Sequence, residues 1–202
     1  MITIQNLSKR FDEKVLFDNF NMSISDGDFV VFCGESGCGK TTLLNMIGCL
    51  EKPDSGSIVI DGVDIWKTKN KQALFSCKLG FLFQNFALLE GKTVAQNLQI
   101  IQKKVRTEKS IGEVLKEVGL QDKMNTKVYK LSGGEQQRVA LARLMLKKCD
   151  IILADEPTGS LDEQNADRVM QLLHLINQMG KTVILVTHSK KIIENEKKVI
   201  RL

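Results

Sequence analysis

The stretch Gly34-Glu35-Ser36-Gly37-Cys38-Gly39-Lys40-Thr41-Thr42 sets a lysine and two hydroxyls directly behind a run of spaced glycines. It satisfies G-x-x-x-x-G-K-[ST] at every fixed position. Such a loop curls around an anion without Cβ clashes, and the amides of the helix that follows face the bound charge. Lys40 is placed to reach the β- and γ-phosphates, and Thr41 to offer a hydroxyl to Mg²⁺. The chemistry is that of holding a nucleoside triphosphate.

A second constellation is Ile151-Ile152-Leu153-Ala154-Asp155-Glu156, an apolar run ending in two carboxylates. Neighbouring side chains on a strand point to opposite faces, so the two acids have different jobs. Asp155 suits the Mg²⁺ shell, and Glu156 suits the polarisation of a water for attack on a γ-phosphate. His188 closes another apolar run, Thr182 to Val186 plus Thr187. That places it at the sheet edge where open α/β folds bind ligands, within reach of a γ-phosphate. Gln84 ends Gly-Phe-Leu-Phe-Gln and can ligate a metal or hold a water. His174 lies mid-helix and receives no role. Cys38 is a small residue tolerated in the loop or an oxidation-sensitive thiol.

A third stretch, Lys130-Leu-Ser-Gly-Gly-Glu-Gln-Gln to Lys148, repeats the look of an anion-binding helix start. Ser132 followed by Glu135 is a capping box, and Val139, Ala142, Met145 and Leu146 form an apolar face. A cap explains the helix start but not the two glycines between.

The surrounding elements must position these groups. Met1–Leu7 and Phe20–Ile24 alternate like short strands, whereas Phe29–Cys33 is continuously apolar, as in a buried parallel strand. A helix follows from Gly39 to about Leu50. From Phe86 to Lys148 strand patterns vanish and helical ones take over, then strands return. In the helix that follows Asp162, the residues Ala166, Val169, Met170, Leu173, Ile176 and Met179 share one face, with Gly180 as its stop. The expectation is a mostly parallel α/β core, 1–85 and 149–202, carrying an inserted helical subdomain, 86–148. Trp66 and Tyr129 are expected to pack in the interior.

Apolar residues form 43% and charged residues 26% of the 202, enough for one cored domain. The net charge of +5 comes largely from scattered lysines. Runs such as Lys67-Thr-Lys-Asn-Lys71 read as solvated loops rather than a nucleic-acid patch. The cysteines are five, with no C-x-x-C and no zinc spacing, which indicates reduced thiols and a cytosolic setting. No apolar h-region opens the chain, and no run approaches the roughly 20 residues of a membrane span. A membrane role therefore requires a partner chain.

Together these motifs resemble the ATP-binding subunit of an ABC transporter, over nearly the full length. Leu131-Ser-Gly-Gly-Glu135 matches the signature motif of that family and is more specific than the phosphate loop. The resemblance implies a RecA-like P-loop NTPase with an N-terminal antiparallel β-subdomain, binding ATP and Mg²⁺ and hydrolysing ATP. It implies catalytic roles for Glu156, His188 and Lys40, and metal contacts from Thr41, Gln84 and Asp155. Nucleotide contacts would come from Phe11, where the family stacks an aromatic on adenine, from Gly34, Glu35, Ser36, Gly37, Cys38, Gly39, Lys40, Thr41 and Thr42, and from Gln84. Ser160-Leu161-Asp162 falls on the D-loop. Ser132, Gly133, Gly134 and Glu135 would serve the ATP of a second copy, in a head-to-tail homodimer. Membrane permease subunits would hold the dimer at the cytoplasmic face of the membrane.

The strings around Thr41–Gly62, Leu88–Leu98 and the signature look most like ATPases of lipoprotein release, macrolide efflux and bacteriocin or antimicrobial-peptide export. Amino-acid importers share parts of them. Ser189 stands where Asp is common and Gln96 where Glu is common, neither at the chemistry. The chain stops at Lys197-Lys-Val-Ile-Arg-Leu202 without a regulatory domain, so regulation by an added domain is not expected. A soluble repair or translation ATPase is the alternative. Repair ATPases insert a long coiled coil where this chain has no sustained heptads, and translation factors carry two such domains. A GTPase or small kinase would leave the signature unexplained, and no N-K-x-D string occurs.

Overall fold

The computed structural model describes residues 1–202. The chain opens with a hairpin of β1 (Ile2–Phe11) and β2 (Lys14–Ile24), then β3 (Phe29–Cys33), the phosphate loop and α1 (Lys40–Ile47). Next come β4 (Ser55–Ile60), β5 (Val63–Asp64), α2 (Lys71–Ala73) and β6 (Leu79–Leu82). Three helices follow: α3 (Val94–Gln99), α4 (Ile111–Glu117) and α5 (Gly133–Leu146). The chain closes with β7 (Ile151–Asp155), α6 (Glu163–Gln178), β8 (Thr182–Val186), α7 (Lys190–Asn195) and β9 (Val199–Arg201).

Two sheets form. The antiparallel one runs β2-β1-β4-β5, and the parallel one β6-β7-β8-β3-β9. The continuous apolar runs are explained by what covers the parallel sheet. Val30, Phe32, Ile151, Leu153, Ile184 and Val186 face α1 and the antiparallel sheet. Val31, Ile152, Ala154, Val183 and Leu185 face α5 and α6 on the other side. Successive strand residues alternate faces, and here both faces are dry, so every position is apolar. Burying each such side chain contributes about 1.5–3 kcal/mol.

The order β7-β8-β3 has a direct functional consequence. It brings the C-terminal ends of three adjacent strands together, and these ends carry Asp155, Thr187 with His188, and the loop from Gly34.

Several local expectations are corrected. The first two strands are longer than their alternating cores, because antiparallel pairing carries them to the Phe11–Lys14 turn. On α6, Leu172 is buried and Met179 is 40% exposed. This helix packs on both β8 and α5, so its dry face is wider than one stripe, while Met179 lies at its C-cap. Tyr129 is 56% exposed, not interior. Trp66 packs partly against the core under the Lys71 ammonium. His174 stacks on Phe29 and pairs with Glu196, bracing α6 against the end of α7. The five cysteines are free thiols.

Candidate functional site

The helix α1 begins unlike α3, α4, α5 and α6. Its N-cap is Gly39 at φ +105°, with no side-chain cap and no acid in the first turn. A Cβ there would meet the Phe17 ring at 2.8 Å, so both the backbone angle and the space require glycine. The first-turn amides are left for an external acceptor. By contrast α3, α4 and α5 each carry a complete capping box. At α3, α4, α5 and α6 the chain caps the helix start with its own side chain; at α1 and at the short α7 it does not, and only α1 starts from a glycine in the left-handed region.

Lys40 folds back into the loop. Its Nζ donates to the Gly34 carbonyl at 3.0 Å and the Glu35 carbonyl at 2.7 Å, with Cys38 Sγ at 3.6 Å. Thr41 Oγ1 donates to Asp155 Oδ1 at 3.1 Å. The hydroxyl and the carboxylate expected in one metal shell are therefore already together. An oxygen-only pair beside a phosphate cradle is the donor chemistry that suits Mg²⁺. The loop fronts a cleft of about 460 Å³, lined also by Phe11, Lys14, Leu16, Glu156 and His188.

Glu156 has left the strand. Its φ is +44°, an angle that side-chain-bearing residues seldom adopt, and its N–H donates to the Val186 carbonyl at 3.0 Å. The turn separates its carboxylate from that of Asp155 and gives it different partners. Oε1 meets His188 Nδ1 at 2.8 Å, and Oε2 accepts from Thr187 Oγ1 at 3.3 Å. The Glu156 side chain is 16% exposed and that of His188 75% exposed, so the acid is sheltered and the imidazole faces solvent.

Burial pushes the Asp155 carboxyl above the usual carboxylate range, against the Thr41 hydroxyl, with Glu156 adding to the rise and Lys40 opposing it. A raised acid pKa means that the folded state takes up the proton more readily than the unfolded one. The ionised form thus costs stability above that pKa, and the cost fades as pH falls through it. Asp155→Asn should raise the melting temperature of the nucleotide-free chain at pH 7.5 in EDTA, with the gain shrinking toward pH 4. A lower melting temperature at pH 7.5 would contradict this account.

The structure gathers Phe11, Gly34, Ser36, Gly37, Gly39, Lys40, Thr41, Thr42, Glu156 and His188 around one cleft. Glu35 and Cys38 belong to the same loop and touch Lys40. Gln84 is not brought in: it is exposed, two residues beyond β6, and does not line the cleft. Ser132, Gly133, Gly134 and Glu135 are also outside it. Ser132 and Gly133 are exposed at the tip of α5.

Two contributors were missed in the sequence. Lys14 Nζ donates to the Gly37 carbonyl at 2.8 Å and adds a second cation to the cleft. Its signal was its register, directly across the hairpin from Phe11. Thr187 is buried, donates to Glu156 and accepts from the Ser189 N–H at 3.1 Å. A hydroxyl directly after the apolar run Val183–Val186 was its signal.

Comparison with known proteins places this geometry. The sequence model described as "ABC transporter" matches residues 17–159. The uncharacterized ABC transporter ATP-binding protein YvrO of Bacillus subtilis is 39% identical over 93% of this chain and 87% of its own length. The macrolide export ATP-binding/permease protein MacB of Campylobacter jejuni is 38% identical over 100% of this chain. The chain spans 33% of that MacB. The dimeric structure of MJ0796, a bacterial ABC transporter cassette, superposes with a TM-score of 0.87 at 37% identity, covering 100% of this chain and 94% of that one. The same cassette in a post-hydrolysis state bound to ADP and Pi gives 0.83 at 36%, with the same coverage.

Proposed function

The chain belongs to the ABC transporter family as an ATP-binding cassette, and on that premise we propose that it is the ATP-hydrolysing motor of a membrane exporter. One observation carries the reading: a single cleft joins an uncapped helix start, a loop lysine, the Thr41–Asp155 pair and a sheltered Glu156.

The proposed roles follow from the geometry. The α1 amides and Lys40 hold the β- and γ-phosphates, with Lys14 as a further cation, and Phe11 flanks the base. Thr41 and Asp155 hold Mg²⁺, which when bound neutralises charge on the phosphate oxygens. Gln84 would join them only if its loop moved inward. Glu156 takes a proton from the attacking water, Thr187 keeps its carboxylate aimed, and His188, exposed at the cleft, is placed to meet the γ-phosphate.

The α5 tip lies outside the chain's own cleft, which supports a shared site: two copies pack head to tail, and Ser132 to Glu135 complete the ATP pocket of the other copy. Residues 86–148 act as the helical subdomain that meets a permease. No helix is long and apolar enough to cross a membrane, which fits peripheral attachment at the cytoplasmic face through that permease. Relatives named for macrolide export favour an exported cargo such as a peptide, bacteriocin, lipoprotein or antimicrobial. Against a repair ATPase stand the short helices between β6 and β7, six, seven and fourteen residues long.

Lys40→Ala is the direct test of the cleft. It removes the loop cation, and ATP affinity measured by equilibrium titration should fall by at least about tenfold, as expected for a charge-assisted contact. Retained tight binding would take the loop out of the mechanism.

A further inference from the structure

The two glycines of the signature are not equivalent. Gly133 is exposed, and a Cβ on it would meet nothing closer than 3.9 Å. Gly134 is buried, and a Cβ on it would stand 2.4 Å from both Cγ and Oδ1 of Asn165. Side-chain atoms do not approach that closely, so Asn165 is what forbids a side chain at Gly134.

Asn165 itself is the third residue of α6, the position from which Gln96, Glu113 and Glu135 reach back to their own N-cap amides. Asn165 does something else. Its backbone N–H caps on Asp162 Oδ1 at 2.9 Å, as expected at a helix start. Its Nδ2 donates to Asp162 Oδ2 at 2.7 Å, and its Oδ1 accepts from Arg138 Nη1 of α5 at 2.7 Å. The amide thus makes one hydrogen bond to each helix, donating within α6 and accepting from α5. A second tie lies beside it: the buried Gln137 of α5 donates to the Pro157 carbonyl at 2.6 Å. Pro157 to Asp162 is the loop that runs from Glu156 into α6.

We propose that Asn165 is a positioning residue that fixes the signature tip of α5 against the loop leaving Glu156, so that the two half-sites of one chain move as a unit. The proposal rests on the shared-site reading, because only then does the α5 tip belong to a different nucleotide from Glu156. Asn165 touches no substrate. It acts through Gly134 and Arg138 on one side and Asp162 on the other.

The test uses the full chain. Asn165→Leu keeps the bulk and removes both side-chain hydrogen bonds. The affinity for ATP of the isolated chain should stay within about twofold, while kcat at saturating ATP falls about tenfold, the scale of coupling between residues in one network. Unchanged kcat would overturn the proposal. The second arm reads the contact in the folded monomer, independently of assembly. Gly134→Ala should lower the melting temperature by roughly 4–8 °C, as overpacking does in a chain of this size. Adding Asn165→Ala should recover at least half of that loss. If the two losses simply add, Asn165 is not what Gly134 accommodates, and the proposal fails. If instead this thermal coupling holds but ATP never drives dimer formation, the shared-site reading has failed by itself, and Asn165 loses its positioning role with it.

Discussion

Glu156→Gln should bind ATP like the parent chain, hydrolyse it roughly 10³-fold more slowly, and accumulate as an ATP-bound dimer. The substitution changes one atom and one charge. The new amide keeps the length of the side chain and one carbonyl oxygen, so it can still accept from Thr187 or pair with His188, the partners now at 3.3 and 2.8 Å. The backbone at φ +44° is held by the hydrogen bond to the Val186 carbonyl, which the change does not touch. The groups assigned to phosphate and metal, Lys40, Thr41 and Asp155, keep their contacts. What is lost is the ability to take a proton from water. A chain that loads ATP but cannot discharge it should remain in the state that ATP favours. Phosphate release measures the first effect, and size-exclusion chromatography with ATP and Mg²⁺ the second. Parent-like turnover would remove Glu156 from the chemistry. A persistent monomer at high protein concentration would remove the main support for a shared site.

The legible part of this protein is the part written in local pattern. Phe29–Cys33 followed by the glycine-lysine loop announced a buried strand and a phosphate-binding helix start, and both are present. Ile151–Asp155 announced a strand with a carboxylate at its tip, and Asp155 meets Thr41 there. Ser132 and Glu135 announced a capping box, and both hydrogen bonds exist. The less legible part depends on residues far apart in the chain. Strand alternation predicts that Asp155 and Glu156 point to opposite faces, but the structure separates them by a left-handed turn at Glu156 that no pattern signals. Lys14 reaches the loop because a hairpin folds over it, 23 residues away. The reason for Gly134 lies on another helix, at Asn165. Tyr129 carries a large aromatic ring at a position that is 56% exposed, with the ammonium groups of Lys127 and Lys130 over it. Gln84 is read from its place at a strand end and from the resemblance, but β6 ends at Leu82 and Gln84 is exposed and does not line the cleft.

Ser132→Arg should leave ATP binding by the single chain nearly intact and abolish ATP-driven dimerisation. Ser132 is exposed, and its roles within the chain are those of an N-cap: its Oγ accepts from the Glu135 N–H at 3.2 Å, and its N–H donates to Glu135 Oε2 at 2.8 Å. Loss of the hydroxyl cap costs about 1 kcal/mol, a small fraction of the roughly 5–15 kcal/mol typical of a folded domain. The Glu135 return bond uses the backbone and survives. A melting temperature within roughly 2–4 °C of the parent should confirm that the fold is kept. The chain's own cleft does not include Ser132, so an equilibrium titration with ATP should report little change. The tip itself becomes long and bulky where, under the shared-site reading, a partner's nucleotide must seat against bare amides. Blocking such a central contact removes at least about 2 kcal/mol of association energy, a shift in dimer affinity of roughly 30-fold or more. Sedimentation of the Glu156→Gln chain with and without Ser132→Arg, at fixed ATP and Mg²⁺, separates the possibilities. Loss of the dimer with binding preserved assigns the signature to the other copy's nucleotide. Equal loss of both returns it to its own chain's pocket, and two intact half-sites per chain would no longer describe the molecule.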